Sequence, residues 1–213
     1  MKKILLVLWT VFCLSFSLVA FATPKLTIKN LEVKQGDMQM LYPQVTIADH
    51  SILSNQINTY FANNAMQAMR NYSEERVKGV HKTLSEEYAL SYYGENYLCF
   101  SSNGYMYYRG AAHPLSWMDG VTFDLATGNA VPWQKLIRNE DREDFTLEAI
   151  NRKILTNQAS WRQWLYRDFQ GLKELPKIYY LDKEGYIHFI FGQYEIAPYA
   201  AGIIDMNMEK QCR

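Results

Sequence analysis

The sequence lacks the patterns that mark common enzymes and nucleic-acid-binding proteins. Its 22 basic and 22 acidic residues balance, and no run of lysine or arginine stands out, so neither nucleic acid nor an anionic membrane is expected as the main partner. The four histidines are widely separated and form no paired zinc motif. A nucleophile elbow, a phosphate-binding glycine loop and a dinucleotide fingerprint are also missing. The sequence therefore predicts no cofactor and no metal ion.

Cysteine is scarce as well. The chain has three cysteines, of which Cys99 lies inside a β-like run and Cys212 lies next to the C-terminus. In an oxidising compartment, a disulfide between these two would fix the tail. The alternative is two free thiols, because a sequence does not show whether the Cα atoms come within the roughly 6 Å that a bridge requires.

The N-terminus has the features of an export signal. A basic segment, Met1-Lys-Lys3, precedes an uncharged apolar run from Ile4 to Ala22 that ends in small residues. This pattern predicts a cleavable signal peptide over residues 1–22, with Thr23 as the new N-terminus and no membrane span after cleavage. The alternative is an uncleaved anchor, since the run is just long enough to cross a bilayer. The expected location is secreted or periplasmic.

The first part of the mature chain predicts a hairpin followed by a long helix. Apolar residues alternate from Leu26 to Val33 and from Met38 to Ile47, with a turn signal at Gly36-Asp37. Spacings of three and four then predict a helix from Ser51 to about Tyr72, capped by Asp49 or Ser51. The charged segment Ser73–Arg76 is expected to be a connection.

The tyrosine-rich stretch from Tyr88 to Phe123 predicts an antiparallel meander. Turn signals occur at Gly94-Glu95, Asn103-Gly104 and Asp119-Gly120. Carboxylates are also paired at Glu86-Glu87, but adjacent residues on a strand point to opposite faces. Solvated surface is the interpretation that we favour for this pair.

The C-terminal part predicts two helices followed by strands. The helices are expected at about Asp144–Thr156 and around Trp161–Phe169, and the strands at Ile178–Leu181, Tyr186–Phe191 and Ile203–Met208. This order is typical of an α+β fold, in which an antiparallel β-sheet carries one long N-terminal helix and a C-terminal helical pair packed on it.

Two irregular segments interrupt the β-like runs, and we expect them to form one recognition site. They are Gly110–Pro114 and Tyr194–Gly202. Tyr194 and Tyr199 offer rigid contact area of the kind that protein-binding and glycan-binding surfaces use. The alternative is a packing role, in which Pro198 fixes the backbone and the glycine permits a tight return.

His113 is the one histidine with suggestive neighbours. A catalytic or metal-binding role would require a carboxylate such as Asp119 or Asp124 to converge on it. The alternative, which we favour, is a histidine that bonds to backbone groups where the strand breaks. No catalytic residue is therefore predicted.

Several of these segments resemble a known extracytoplasmic family. The motifs are Tyr42-Pro-Gln44, Asn55–Asn58, Gly110–Pro114, Phe123–Gly128 and Tyr194–Gly202. Taken in this order, they resemble the module shared by the anti-sigma factor RsiV and the peptidoglycan deacetylase PdaC. The resemblance spans nearly the whole mature chain.

This resemblance implies an α+β module outside the cytoplasmic membrane. It divides the chain into an N-terminal PdaC-like subdomain, residues 23–105, and a C-terminal RsiV-like subdomain, residues 106–213, in one compact unit. In RsiV the module receives lysozyme, and in PdaC it precedes a separate catalytic domain whose Asp and His-x-x-x-His metal pattern this chain lacks. We therefore expect the binding module alone, exported free.

The expected ligand is a cell-wall glycan or a wall-acting protein such as lysozyme. The residues expected to line the site are Tyr194, Glu195, Pro198, Tyr199 and His113. Two alternatives remain at this point. One is a small peptidoglycan-modifying hydrolase or deacetylase that uses His113 with Asp119 or Asp124, and the other is a structural envelope protein without a dedicated ligand.

Overall fold

The computed structural model describes residues 23–213. The predicted signal peptide, residues 1–22, lies outside the described residues. Within the described part, no helix is both long and apolar enough to cross a membrane. The fold is a mixed α+β arrangement of a six-stranded sheet and a three-stranded sheet, and antiparallel pairing dominates both.

Strands make up most of the regular structure. In chain order, the strands and α-helices are β1 (Leu26–Gln35), β2 (Met38–Ile47), α1 (Ser51–Val77), β3 (Lys82–Tyr93), β4 (Tyr97–Tyr108), β5 (Leu115–Asp124), β6 (Ala130–Val131), α2 (Leu147–Thr156), β7 (Tyr179–Leu181), β8 (Tyr186–Phe191) and β9 (Ile204–Gln211). Short 3-10 helices occupy Trp133–Lys135, Asn139–Phe145, Ser160–Trp164 and Tyr199–Ala201. The six-stranded sheet has the order β1-β2-β3-β4-β5-β6, and the three-stranded sheet has the order β7-β8-β9.

The predicted N-terminal hairpin is confirmed. Leu26 pairs with Ile47 at its open end and Gln35 pairs with Met38 at the turn. The turn passes through Gly36 at φ +59°, a left-handed conformation that glycine adopts without strain. The strand β2 then pairs in parallel with β3, which is possible because α1 forms the crossover between them.

The helix α1 begins at Ser51 as predicted, but it is longer than predicted and its N-terminus is capped differently. Its N-cap is His50, and no side chain caps it, so the prediction of a cap from Asp49 or Ser51 is wrong. Asp49 is held in a left-handed turn at φ +63°. The Ser54 hydroxyl instead accepts a hydrogen bond from the Ile47 amide at 2.9 Å and so joins the first turn of the helix to the end of β2.

The helix also extends past its predicted end. The segment Ser73–Arg76, predicted to be a connection, forms its last turns. There Glu75 forms an ion pair with the buried Lys82 of β3 at 2.6 Å. Paired in this way, a charge can be buried at the start of a strand.

Two of the predicted turns in the meander are wrong. Gly104 lies inside β4 and Gly120 lies inside β5. A Cβ at Gly104 would lie 2.2 Å from the Trp117 indole, and one at Gly120 would lie 2.1 Å from the Tyr179 carbonyl oxygen. Both glycines therefore serve close packing within a strand and do not form turns. The turn predicted at Gly94 does connect β3 to β4.

The C-terminal strands are confirmed, whereas the helical pair is only partly present. The Thr146 hydroxyl caps α2 by accepting a hydrogen bond from the Ala149 amide. The helix predicted around Trp161–Phe169 is a 3-10 helix that covers only Ser160–Trp164. Its continuation fails because the Tyr166 amide donates to the carbonyl of Ile196 at 3.1 Å, away from its own segment.

Two hydrophobic cores lie on opposite faces of β4. Leu98 and Phe100 pack under α1, while Tyr97 and Cys99 pack against α2 and the three-stranded sheet. Alternation along one strand thus supplies both cores. The division predicted between residues 105 and 106 falls within this strand.

Cys99 and Cys212 are both buried, and both are free thiols. Burial raises the pKa of each thiol above its ordinary value. Of the two alternatives open from the sequence, the structure therefore has the free thiols. The disulfide is not formed in it.

Candidate functional site

The two irregular segments meet in the structure. The segment 109–114 connects β4 to β5, and the segment 192–203 connects β8 to β9. The ring of His113 stacks on that of Tyr199 with centroids 3.8 Å apart, and its Nε2 lies 3.0 Å from the hydroxyl of Tyr194. The two tyrosine rings lie 5.8 Å apart. We call His113, Tyr194 and Tyr199 the aromatic cluster.

A tight turn presents Tyr194 to solvent. The Glu195 carboxylate accepts a hydrogen bond from the Gly192 amide at 2.8 Å, and the Glu195 amide donates to the Gly192 carbonyl. Tyr194 sits between them at φ +67° and is 49% exposed. A bulky residue in this conformation is uncommon and strained. Glu195 was predicted to line the ligand site, and its carboxylate stabilises this turn.

The segment 192–203 is fixed to the rest of the fold on both sides of this turn. The side chain of Gln193 accepts a hydrogen bond from the Ser116 amide at 3.0 Å and so covers the open edge of β5. Ile196 and Ala197 are buried in the core that includes α2. Pro198 is exposed next to them. Because its backbone is anchored in this way, the segment holds its exposed rings in place.

Both ring nitrogens of His113 have hydrogen-bond partners. Its Nδ1 lies 3.1 Å from the Pro114 carbonyl oxygen, which can only accept, so we assign the proton to Nδ1. Nε2 shares a hydrogen bond with the hydroxyl of Tyr194. His113 thus bonds to a backbone group where the strand begins, as the favoured interpretation of the sequence expects.

Neither carboxylate considered as a partner for His113 bonds to it. Asp119 accepts a hydrogen bond from the Gly120 amide, and Asp124 accepts from the amides of Ala126 and Thr127 in the next turn. Across residues 23–213, no group of three or more potential ligands is arranged to hold a metal ion. The aromatic cluster therefore has ring faces and hydroxyls to offer a ligand.

Sequence reasoning missed Tyr166 at this site. Its hydroxyl lies 3.5 Å from the carbonyl oxygen of Tyr194, and the residue is exposed. Tyr166 falls in the segment predicted as the second C-terminal helix, so its position beside the loop was not expected. It extends the exposed aromatic area next to the aromatic cluster.

Sequence reasoning also missed a polar cluster on the three-stranded sheet. His188 lies between two carboxylates, with Nδ1 2.6 Å from Asp205 and Nε2 3.2 Å from Asp182. The hydroxyl of Tyr180 donates to Asp205 at 2.8 Å. Burial lowers the pKa of His188, but the hydrogen bonds and charges of Asp205 and Asp182 outweigh it, so the pKa is raised overall.

A cleft of about 660 Å³ lies apart from both clusters. It is lined by Thr23 and Pro24 at the start of the described chain, and by His50, Tyr97 and Arg213. No residue of the aromatic cluster lines it. The aromatic cluster is therefore separate from this cleft.

Comparison with known proteins places this fold among proteins of unknown function. Residues 135–211 match DUF3298, a family described as proteins of unknown function. The matched part includes Tyr194 and Tyr199 but not His113. No curated protein matches the chain.

Two solved DUF3298 structures are similar over most of the chain. One, from Bacteroides fragilis, is 18% identical and has a TM-score of 0.59, with 90% of this chain and 95% of that chain covered. The other, from Pseudomonas aeruginosa, is 11% identical and has a TM-score of 0.56, with 87% and 90% covered. At these identities the likeness shows a shared DUF3298-type fold.

Proposed function

We propose that the protein is an exported, non-catalytic binding module of the bacterial cell envelope. Its ligand is a cell-wall glycan or a wall-acting protein such as lysozyme. The proposal includes the closer kinship with the module of RsiV and PdaC, which the sequence motifs suggest. Export rests on the signal peptide predicted over residues 1–22.

The aromatic cluster is the observation that carries this proposal. Tyr194 is turned outward by a strained backbone conformation and remains half exposed. A conformation of this kind persists only where the surrounding structure imposes it, and such conformations are common at functional sites. Exposed rigid aromatic rings bind protein partners and the faces of sugar rings.

The surroundings of the cluster favour binding over turnover. His113 bonds to a tyrosine hydroxyl and to a backbone carbonyl. The hydrolase alternative requires a carboxylate within hydrogen-bond reach of His113. Asp119 and Asp124, the partners that the hydrolase alternative names, accept their hydrogen bonds from backbone amides elsewhere.

A binding assay on two immobilised ligands tests the proposal. The purified protein is passed over hen lysozyme and over solubilised peptidoglycan fragments, and the affinity for each is measured. Tyr194→Asn removes the ring while retaining a residue type that tolerates positive φ. We expect it to weaken binding to the true ligand about tenfold, or about 1.4 kcal/mol.

The matched control is Tyr105→Asn, which removes an exposed tyrosine ring from β4. It should leave the affinity unchanged. Thermal unfolding of both variants checks that the loss of binding does not come from loss of structure. If neither ligand binds, or if both variants weaken binding equally, the proposal fails.

A further inference from the structure

Two carboxylates lie on one face of the first sheet, close to the region that α1 covers. Glu86 of β3 is aligned with Gly104 and Trp117 across the sheet, and Asp119 is in the neighbouring row with Ser102 and Tyr88. Residues in directly opposite positions share a face. The contact of Tyr88 with Phe61 of α1, at 5.2 Å between centroids, identifies this as the helix-covered face.

Trp117 lies flat across the middle strand toward Glu86. Gly104 makes this possible, because a Cβ there would lie 2.2 Å from the indole. The indole Nε1 donates to Glu86 Oε1 at 3.4 Å. The ring therefore spans from β5 to β3 and lies next to the carboxylate.

Neither carboxylate has a cationic partner. Among the ion pairs of residues 23–213, no lysine, arginine or histidine pairs with Glu86 or Asp119. Burial raises the pKa of Glu86, with a further contribution from the charge of Asp119, and burial also raises the pKa of Asp119. Glu86 and Asp119 are therefore two neighbouring carboxyl groups without a basic side chain to balance them.

A buried hydroxyl points into the same place. Ser102 is fully buried, and its Oγ has no hydrogen-bond partner among the described residues. It lies close to the Glu86 carboxyl and the Tyr88 hydroxyl. A buried polar group without a partner requires an explanation, and a bound polar ligand supplies one.

We propose that Glu86, Asp119, Ser102 and Trp117 form a binding site for an organic ammonium group. Trp117 engages one oxygen of Glu86, and the Gly120 amide engages one oxygen of Asp119. The second oxygen of each carboxylate and the Ser102 hydroxyl leave three acceptors, which matches the three donors of an ammonium. The indole N–H of Trp117 holds the Glu86 carboxylate in position beside the site. A bound calcium ion would need six to eight oxygen ligands, roughly twice what these side chains supply.

The ammonium group that binds here belongs to a lysine-like side chain or to an amino sugar. Both present a primary amine on a carbon frame that can contact the indole. The inference adds to the proposed function and does not rest on it, because the residues differ from the aromatic cluster and the probes are small amines. Its failure would leave the binding-module proposal standing.

Matched pairs of small molecules test the site. Cadaverine and its neutral analogue 1,5-pentanediol represent the side chain, and glucosamine and N-acetylglucosamine represent the sugar. The indole N–H signal of Trp117 is followed by nuclear magnetic resonance and assigned by its loss in Trp117→Phe. We expect the Trp117 signal to shift saturably with the amines and not with the neutral analogues. The amine that binds more tightly identifies whether the ammonium group belongs to a side chain or to a sugar.

Glu86→Gln and Asp119→Asn should each weaken amine binding about tenfold. Both replacements retain the shape of the side chain and remove a charge that burial disfavours, so the variants are expected to fold. Glu87→Gln is the control, because Glu87 is exposed on the opposite face of the same strand. Equal shifts from amines and neutral analogues, or unchanged binding in Glu86→Gln, would overturn the proposal.

Discussion

His113 and His188 each meet a tyrosine hydroxyl, yet their surroundings assign them opposite roles. His113 has a carbonyl and a phenol as its polar contacts and lies in an exposed cluster. His188 lies between two carboxylates, and its side chain is 12% exposed. Carboxylates on both nitrogens stabilise the imidazolium of His188, whereas no carboxylate among residues 23–213 bonds to His113. The comparison separates a histidine available to a ligand from one that holds the fold together.

Replacing each histidine by leucine should show the largest difference in stability between the two sites. His188→Leu leaves Asp182 and Asp205 facing each other without the cation, so we expect unfolding to become easier by about 2 kcal/mol. His113→Leu should lower the free energy of unfolding by about 0.5 kcal/mol or less. Urea denaturation of the two variants measures both values. Similar losses would show that the two histidines do not differ in role.

The dependence of stability on pH should distinguish the two sites next. The pKa of His188 is raised above 6.5 in the folded state by Asp205 and Asp182. Its stabilising contribution is therefore complete below about 6.5 and is lost as the pH rises through the raised value. Urea midpoints measured across this range should fall with pH in the native protein. The fall should persist in His113→Leu and flatten in His188→Leu; an unchanged slope in the latter would contradict the assignment.

Removing one tyrosine hydroxyl at each site should give the smallest difference in stability. Tyr180→Phe loses a hydrogen bond to the carboxylate of Asp205, and we expect it to cost about 1 kcal/mol. Tyr194→Phe loses a bond to His113 at a half-exposed position, and we expect it to cost only about a few tenths of a kcal/mol, within the usual range of surface substitutions. Thermal unfolding under one buffer condition compares the two. A larger loss from Tyr194→Phe would reverse the comparison.

Local periodicity predicted much of the fold. The hairpin β1–β2, the helix α1 and the strands β7 to β9 were all found near their predicted positions. The predicted turns at Asn103-Gly104 and Asp119-Gly120 failed because their glycines make room for Trp117 and Tyr179. A sequence does not show which distant residue will approach a glycine, so a close approach has the same local signature as a turn.

The candidate site was also predicted only in part from the sequence. Irregular, aromatic composition identified both segments of the aromatic cluster, and the structure brings them together. Tyr166 and Gln193 were missed because their roles depend on contacts across the fold. Glu86 was interpreted as solvated surface together with Glu87, but only Glu87 is exposed. Which face of β3 would be covered depends on β5 and α1, and no spacing within the pair reveals it.

The strand β4 has a consequence for how the molecule unfolds. Its residues Tyr97 to Ser102 are buried on both faces, one toward α1 and the other toward α2 and the second sheet. The layer of α1 and the layer of α2 with the second sheet share this strand. Neither layer can detach from β4 without exposing apolar surface of the other layer. The two layers should therefore melt in one cooperative step, and the β4 amides should exchange with solvent only through global opening. A ligand held at the exposed loops would then protect the whole chain, including the hairpin β1–β2.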